Sequence, residues 1–98
     1  MKKPLAIDPD VLNRLGRLPR DERAGCLQAL CDLCETFGRP HVPSGVSIRK
    51  LGGNLFECRG TLDLRFVFQD RPDSLYVRFL GTHDEVQALL RGGARTKS

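Results

Sequence analysis

The sequence has no apolar run long enough to cross a membrane and no secretory signal peptide. Lys2 and Lys3 are typical of the start of such a peptide, but its apolar stretch would be only four residues long before Asp8, Pro9 and Asp10 end it. We therefore expect a cytoplasmic protein without a membrane partner, whose four cysteines stay reduced.

The chain also lacks the length for a second domain. Because 98 residues leave too little material for two separate cores, residues 1–98 are predicted to form a single domain. A domain of this size buries roughly 60 to 65% of the surface that its unfolded chain exposes. Little room remains for a deep pocket, so we expect an open surface site.

Lysine is scarce, with four residues against twelve arginines. The formal net charge is +4, and all of the excess lies from Arg39 onward, because residues 1–38 hold six basic and six acidic side chains. Planar guanidinium groups suit bidentate contacts to phosphate. The charge pattern therefore favours a polyanionic partner such as nucleic acid, and the alternative is a solvated basic face without a partner.

The spacing of the cysteines is a poor match for a metal site. Cys26, Cys31 and Cys34 fall in one predicted helix, so zinc would need Cys58 or His41 as a fourth ligand. Zinc motifs usually place close ligand pairs on turns rather than inside a leucine-rich helix. We expect small buried apolar cysteines, with no metal and no cofactor.

Two helices are predicted before residue 38. Asp8 caps the first, which has Pro9 at its first position and ends at Gly16. The second runs from near Pro19 to Phe37. Its predicted core-facing residues recur at helical spacing and are Ala24, Leu27, Leu30, Cys31, Cys34 and Phe37. Residues 39–45, rich in proline and glycine, are expected to form a linker.

The second half of the chain alternates apolar and polar residues, which is typical of strands. Residues 46–51, 55–59, 62–68 and 74–80 are predicted to form an antiparallel meander, and residues 4–7 a possible short edge strand. The predicted core face of the last two strands comprises Leu62, Leu64, Phe66, Phe68, Leu75, Val77 and Phe79. Thr82 and Glu85 form a capping box for a C-terminal helix that Gly92 and Gly93 end. The predicted fold is α+β: an N-terminal helical hairpin on a four-stranded antiparallel sheet, followed by a short helix.

The polar face of the sheet is the expected site, because Arg65, Tyr76 and Arg78 should share it. RNA cleavage needs a base for the 2′-hydroxyl, an acid for the leaving 5′-oxygen and cations for the phosphorane charge. His83 or Glu57 could transfer the protons. The candidate cations are Arg49, Lys50, Arg59, Arg65 and Arg78. Any basic sheet would contain such a set, so these residues alone do not identify a nuclease.

Several short motifs resemble the RelE/ParE toxin superfamily of bacterial toxin–antitoxin systems. They follow two short helices and the segment 38–40, and they lie at residues 50–52, 55–59, 64–68 and 81–83. The resemblance covers roughly residues 5–91. Its Gly-Thr-His ending is similar to the HigB and YafQ branch, whose members cut messenger RNA in the ribosomal A site.

The resemblance implies a role for each candidate. Arg65 would hold the scissile phosphate, and His83 would be the general acid or base. Lys50 and Arg78 match more loosely and would assist with phosphate or ribosomal RNA, while Arg59 would be structural or contact phosphate. The chain departs from the family after His83, where many members carry an aromatic residue that stacks on a base; here Tyr76 would be the sheet-face aromatic.

The implied function is a toxin that acts as a ribosome-dependent, metal-independent endoribonuclease. Its expected partners are a cognate antitoxin, the ribosome and messenger RNA, and the sequence does not reveal the oligomeric state. Two alternatives remain at this point: a ParE-like inhibitor of DNA gyrase and an inactive relative that binds nucleic acid.

Overall fold

The structure is a computed structural model that describes residues 3–37 and 47–96, with side chains as far as Gly92. Its α+β fold packs helices against one sheet. In chain order the elements are β1 Leu5–Ile7, α1 Pro9–Arg17, α2 Arg20–Thr36, β2 Ile48–Gly52, β3 Leu55–Arg59, β4 Leu64–Asp70, β5 Leu75–Thr82 and α3 His83–Thr96. The predicted linker at residues 39–45, with His41, and the segment 38–40 lie outside the described residues.

The sheet has five strands in the order β1-β5-β4-β3-β2. The predicted edge strand exists, but β1 pairs in parallel with β5, so the sheet is mixed rather than four-stranded and antiparallel. Leu75 N–H donates to the Pro4 carbonyl over 2.9 Å, and Asp8 N–H donates to the Val77 carbonyl over 2.9 Å. A strand of only three residues is too short to show an alternating pattern, so the sequence does not reveal which strand it pairs with or in which direction.

The first helix begins where its sequence predicts. The Asp8 carboxylate accepts a hydrogen bond from Asp10 N–H over 2.9 Å, and Pro9 occupies the first helical position, where no N–H is needed. The helix continues past Gly16 to Arg17. The start of α2 is also as predicted, because Pro19 precedes its first residue.

The predicted core face of α2 is wrong in part. The residues that α2 buries are Cys26, Leu30, Leu33 and Thr36, whereas Leu27 is 49% exposed and Cys31 is also exposed. The apolar residues of this helix are spread around its circumference rather than gathered on one side. Periodicity alone therefore does not select the face that meets the sheet.

The main core lies between α1, α2 and one face of the sheet. Phe66, Phe68 and Val77 are fully buried there. Phe37 meets the rings of Phe56 and Phe68 edge to face, with centroids 5.1 Å and 5.3 Å away. These aromatic contacts join the end of α2 to the middle of the sheet.

A bulge interrupts the alternation in β5. Val67 pairs with Phe79 and Phe68 with Val77, so Arg78 is the extra residue. Phe79 therefore shares a face with Val67, opposite the main core, and Leu80 takes the core position instead, which corrects the prediction for Phe79. We call the sheet face that carries Val67 the second face.

Strand β4 begins two residues later than predicted. Leu62, expected in the core, is 84% exposed, because residues 60–63 form a turn and β4 starts at Leu64. The Leu64 N–H donates to the Thr61 hydroxyl over 3.2 Å, and Gly60 N–H donates to the Leu64 carbonyl over 2.8 Å. These bonds close the turn and leave Leu62 outside the sheet.

The third helix opens with the predicted capping box. Thr82 N–H donates to Glu85 Oε1 over 2.8 Å, and Glu85 N–H donates to Thr82 Oγ1 over 3.2 Å. The helix continues to Thr96 instead of ending at Gly92 and Gly93. A glycine ends a helix when its backbone adopts the left-handed conformation, and Gly92 does not adopt it. The helix lies against β4 and β5, and its Val86 is fully buried. None of the described helices is long and apolar enough to span a membrane.

Candidate functional site

Three arginines and one glutamate meet on the second face of the sheet. Arg59 of β3 lies directly opposite Arg65 of β4, and Arg49 of β2 lies directly opposite Glu57 of β3. Directly opposite residues of antiparallel strands share a face, and Glu57 faces Val67 in the same way. We call Arg49, Arg59 and Arg65, together with Glu57, the arginine cluster.

Glu57 is buried at the centre of the cluster, with a side chain only 8% exposed. Its Oε1 accepts from Arg49 Nη2 over 3.4 Å. Its Oε2 lies 3.7 Å from Arg65 Nε, which is close enough for attraction but too far for a hydrogen bond. The Glu57 carboxylate thus lies near the guanidinium groups of Arg49 and Arg65, while Arg59 stands opposite Arg65. With three arginines and one glutamate, the cluster keeps an excess of positive charge.

Arg65 carries a buried N–H without an acceptor. Its side chain is 21% exposed, yet Nε is shielded from solvent and finds no hydrogen-bond partner within residues 3–37 and 47–92. An unsatisfied buried donor costs about 1–3 kcal/mol. Like charges directly opposite each other on two strands, as in Arg59 and Arg65, also destabilise a sheet. An oxyanion would offset the repulsion between the two guanidinium groups, so the cluster is suited to bind one.

His83 stands at the same end of the sheet as Arg65. It is the first residue of α3, its side chain is exposed, and it comes two residues after Gly81, the direct partner of Arg65. Two residues of extended chain span about 7 Å. The fold therefore places the His83 backbone about one strand step beyond the cross-strand partner of Arg65, at the same end of the sheet as the cluster.

Three predicted RNA-binding residues lie away from the cluster. Lys50 pairs with Phe56, whose ring packs on the main core, so Lys50 projects to the opposite face from Arg49. Tyr76 pairs with Gln69, which is four residues, or about 13 Å, along β4 from Arg65. Because Arg65, Val67 and Gln69 alternate onto one face of β4, Tyr76 shares the second face with Arg65, but it lies at the far end of that face.

Arg78 also stands apart, at the bulge in β5. It lines a shallow cleft against α1 together with Asp10, Val11, Arg14, Phe79 and Leu80. The predicted phosphate-binding residues are thus in different places. Arg49, Arg59 and Arg65 belong to the cluster, Arg78 lines this cleft, and Lys50 lies on the face of the sheet that packs against the helices.

Tyr76 has a structural partner. Its hydroxyl donates to Asp8 Oδ2 over 2.5 Å, and the Arg71 guanidinium lies 4.2 Å from the centre of its ring. The Tyr76 hydroxyl, and next the Asp10 N–H, lower the pKa of Asp8. The hydrogen bond to Asp8 in turn raises the pKa of Tyr76. This pair ties the start of α1 to β5.

All four cysteines, each within the described ranges, are free thiols. Burial, and next the charge of Glu57, raise the pKa of Cys58 to about 12, which makes this thiol a poor nucleophile and a poor metal ligand. The described part of the chain contains no group of three histidine, cysteine or acidic side chains placed to hold a metal ion.

Phe79 and Gly81 are neighbours of the cluster that sequence patterning missed. Strict alternation places Phe79 in the core, whereas the bulge turns it to the second face. Phe79 and Leu80 are both apolar, so the sequence pattern does not distinguish which of them the core receives.

The sequence matches no protein-family model, and no curated protein matches it. Solved structures do share its fold. A RelE–RelB complex from the archaeon Pyrococcus horikoshii aligns with a TM-score of 0.62 and 20% identity, covering 84% of this chain and 96% of that chain. A RelB–RelE antitoxin–toxin complex from Methanococcus jannaschii aligns with a TM-score of 0.64 and 10% identity, covering 86% and 96%.

A third structure extends the likeness to a bacterial protein. A copper-bound mutant toxin from Helicobacter pylori aligns with a TM-score of 0.52 and 19% identity, covering 87% of this chain and 98% of that chain. In all three cases the match spans nearly the whole of the solved chain. The protein described here has the fold of the RelE-like toxins.

Proposed function

We propose that this protein is the toxin of a type II toxin–antitoxin system and that it cuts messenger RNA in the ribosomal A site. The observation that carries the proposal is the pair of directly opposed arginines, Arg59 and Arg65, on the second face. A phosphodiester would supply the negative charge that these two guanidinium groups need. The RelE-like fold supports the same function.

The cluster and His83 together provide the groups for cleavage by the 2′-hydroxyl. Arg65 and Arg59 would hold the scissile phosphate and stabilise the phosphorane. Either Glu57 or His83 would take the 2′-hydroxyl proton, and the other would protonate the leaving 5′-oxygen. The 2′-oxygen forms a new bond to phosphorus as the bond to the 5′-oxygen breaks. The products are a 2′,3′-cyclic phosphate and a 5′-hydroxyl, and the reaction needs no metal ion.

The open shape of the site explains why the ribosome would be required. Two arginines of the cluster, Arg49 and Arg59, are exposed, and we infer that such an open site does not orient a flexible RNA by itself. The ribosome would hold the message, and the toxin would add the reactive groups. Lys50, Tyr76 and Arg78, which stand away from the scissile position, would then contact ribosomal RNA rather than the phosphate that is cut.

A protein antitoxin is the second proposed partner. Two of the structures with this fold are complexes of a RelE toxin with its RelB antitoxin. The exposed basic side chains of the second face, such as Arg49 and Arg59, suit an acidic segment that would cover the cluster and block the message.

Primer extension on messenger RNA in a purified translation mixture tests the nuclease function. The wild type should produce cuts confined to A-site codons. Arg65→Ala and His83→Ala should each reduce cleavage by about 10²- to 10³-fold while remaining folded, because each removes a group that acts mainly in the transition state. Arg17→Ala, which removes an exposed arginine from α1, is the matched control and should cut like the wild type.

Two outcomes would contradict the proposal. Cleavage that persists unchanged in both Arg65→Ala and His83→Ala would place the chemistry elsewhere. A folded wild type that cuts nothing would instead favour gyrase inhibition or an inactive nucleic-acid-binding relative, which a DNA supercoiling assay and an RNA-binding assay would distinguish.

A further inference from the structure

The backbone of His83 is enclosed by a ring of hydrogen bonds. The two capping-box bonds join Thr82 to Glu85 at 2.8 Å and 3.2 Å. His83 and Asp84 are the two residues between them, so both lie inside the ring. The orientation of the first turn of α3 therefore depends on where the Glu85 carboxylate is held. His83 moves with that turn.

A residue from another helix holds this carboxylate. Arg14 Nη2 of α1 lies 3.0 Å from Glu85 Oε1, the same oxygen that accepts the Thr82 N–H. The Thr82 N–H, and next the Arg14 guanidinium, lower the pKa of Glu85. Because both charged side chains are partly exposed, the bridge itself contributes little to global stability. Its effect is on local geometry.

Arg14 is carried by a helix that is itself fixed to the sheet. The start of α1 is bonded to β5 through Asp8, whose N–H donates to the Val77 carbonyl and whose carboxylate accepts from the Tyr76 hydroxyl. Farther along, Val11 and Leu15 are buried in the main core on either side of Arg14. The guanidinium is thus presented from a rigid support.

Gly81 provides the space that this arrangement needs. A Cβ atom there would lie 2.8 Å from Glu85 Oε1 and 2.7 Å from a ring carbon of Phe79, both closer than van der Waals contact allows. Gly81 is also the direct cross-strand partner of Arg65. The series of contacts from Arg14 to Glu85 and from Glu85 to Thr82 therefore reaches the neighbour of Gly81, beside Arg65, the residue proposed to hold the phosphate.

We propose that Arg14 is a positioning residue that, through Glu85, holds the first turn of α3 so that the His83 imidazole faces the phosphate bound at Arg65. This inference rests on the proposed nuclease function. Without Arg14 the Glu85 carboxylate can rotate, the first turn opens more often, and the imidazole spends less time in the reactive position. Misplacement of a catalytic group lowers the rate of the chemical step without weakening substrate binding.

The test measures cleavage of programmed ribosomes by the full-length protein over a range of ribosome concentrations. Arg14→Ala should lower kcat about tenfold and leave KM unchanged, whereas Arg14→Lys, which retains a donor and a charge, should recover most of the rate. Glu85→Gln should resemble Arg14→Ala, and the double variant should be no slower than either single one. Arg17→Ala, from the same helix, is the control and should keep the wild-type kcat.

Two further measurements separate positioning from loss of stability. Hydrogen exchange at the Thr82 amide should accelerate in Arg14→Ala and not in Arg17→Ala, while the urea midpoint of unfolding stays at the wild-type value in both. An active wild type with an unchanged kcat in Arg14→Ala would overturn the role of Arg14 alone. A fall in kcat that follows a fall in the urea midpoint, and that Arg14→Lys does not recover, would overturn it too. A wild type without cleavage would refute the proposed function and this role together.

Discussion

Replacing Glu57 with glutamine should weaken the fold and strengthen RNA binding at the same time. Glu57 is the carboxylate of the cluster, and it lies 3.4 Å from Arg49 and 3.7 Å from Arg65. Glutamine has nearly the same shape, so the change removes charge without opening a cavity. The partly buried Arg65 then loses the carboxylate 3.7 Å away, and the cluster gains one unit of net positive charge.

The size of the stability loss follows from the geometry. At 3.7 Å and an effective dielectric constant of about 20, the attraction between Glu57 and Arg65 is about 4.5 kcal/mol before desolvation. Arg49 is 59% exposed, so its share is below about 1 kcal/mol. Desolvation of the buried carboxylate offsets part of the attraction, and Arg65 can recover some hydration. The net cost of Glu57→Gln should be about 2 kcal/mol, which lowers Tm by about 10 °C in a domain of this size.

Thermal and urea unfolding monitored by circular dichroism measure the loss, with Asp63→Asn as the control. Asp63 is an exposed acid in the turn before β4, so the control changes the net charge equally without touching the cluster. Binding of a non-cleavable RNA should become tighter for Glu57→Gln, with a steeper dependence on salt, because more counterions are released. Sulfate should restore part of the lost stability of Glu57→Gln by occupying the cluster.

The reasoning fails if Glu57→Gln unfolds at the same temperature and urea concentration as Asp63→Asn. That result would mean that Arg65 does not depend on the carboxylate. If RNA binding weakened instead, the contact of Glu57 with the 2′-hydroxyl would outweigh its competition with the RNA for the arginines.

Two other perturbations test the supports of the site. Because the Tyr76 hydroxyl lowers the pKa of Asp8 below 3.8, Tyr76→Phe should lose stability above that pH, and urea midpoints of the variant and wild type should converge as the pH falls through the folded value. Gly81→Ala places a methyl group 2.7 Å and 2.8 Å from its nearest neighbours and should cost about 1–3 kcal/mol, whereas Gly16→Ala, at an open helical position, should gain about 0.5–1 kcal/mol in the same urea titration.

Helix starts were predictable because their determinants lie within a few residues. Asp8 with Pro9, and Thr82 with Glu85, each satisfy backbone groups of their own first turn, and the structure confirms both caps. The extra turn of α3 beyond Gly92 shows the limit of the same logic, since a glycine permits a helix to end without forcing it to do so.

The sequence only weakly indicates which residues lie on which face of the sheet. A single bulge between β4 and β5 moved Phe79 to the second face and Leu80 to the core, and no local rule demands a bulge at Arg78. The partner of β1 could not be predicted either, because its pairing joins segments about seventy residues apart.

Charge and resemblance predict the site residues as one set. The register of the strands shows which of them lie on the same face of the sheet. Arg49 and Lys50 are adjacent in sequence and equally basic, yet one faces Glu57 and the other aligns with Phe56. Alternation puts adjacent residues of a strand on opposite faces, so both could not join the same cluster. Which of the two does so depends on the pairing of β2 with β3. Their catalytic and binding roles stay predictions for the cleavage assays.

The parallel pairing of β1 with β5 constrains the order in which a newly made chain can mature. The hydrogen-bond partners of the first strand, Leu75 and Val77, are synthesised about seventy residues after it. Until then α1 has no sheet edge to dock on, and β4 has no β5 beside it. Contacts between distant segments of the chain also form slowly. The arginine cluster lies on β2, β3 and β4, so its three strands can pair before β5 exists, whereas α1 can dock on the sheet only after residue 77 has been synthesised.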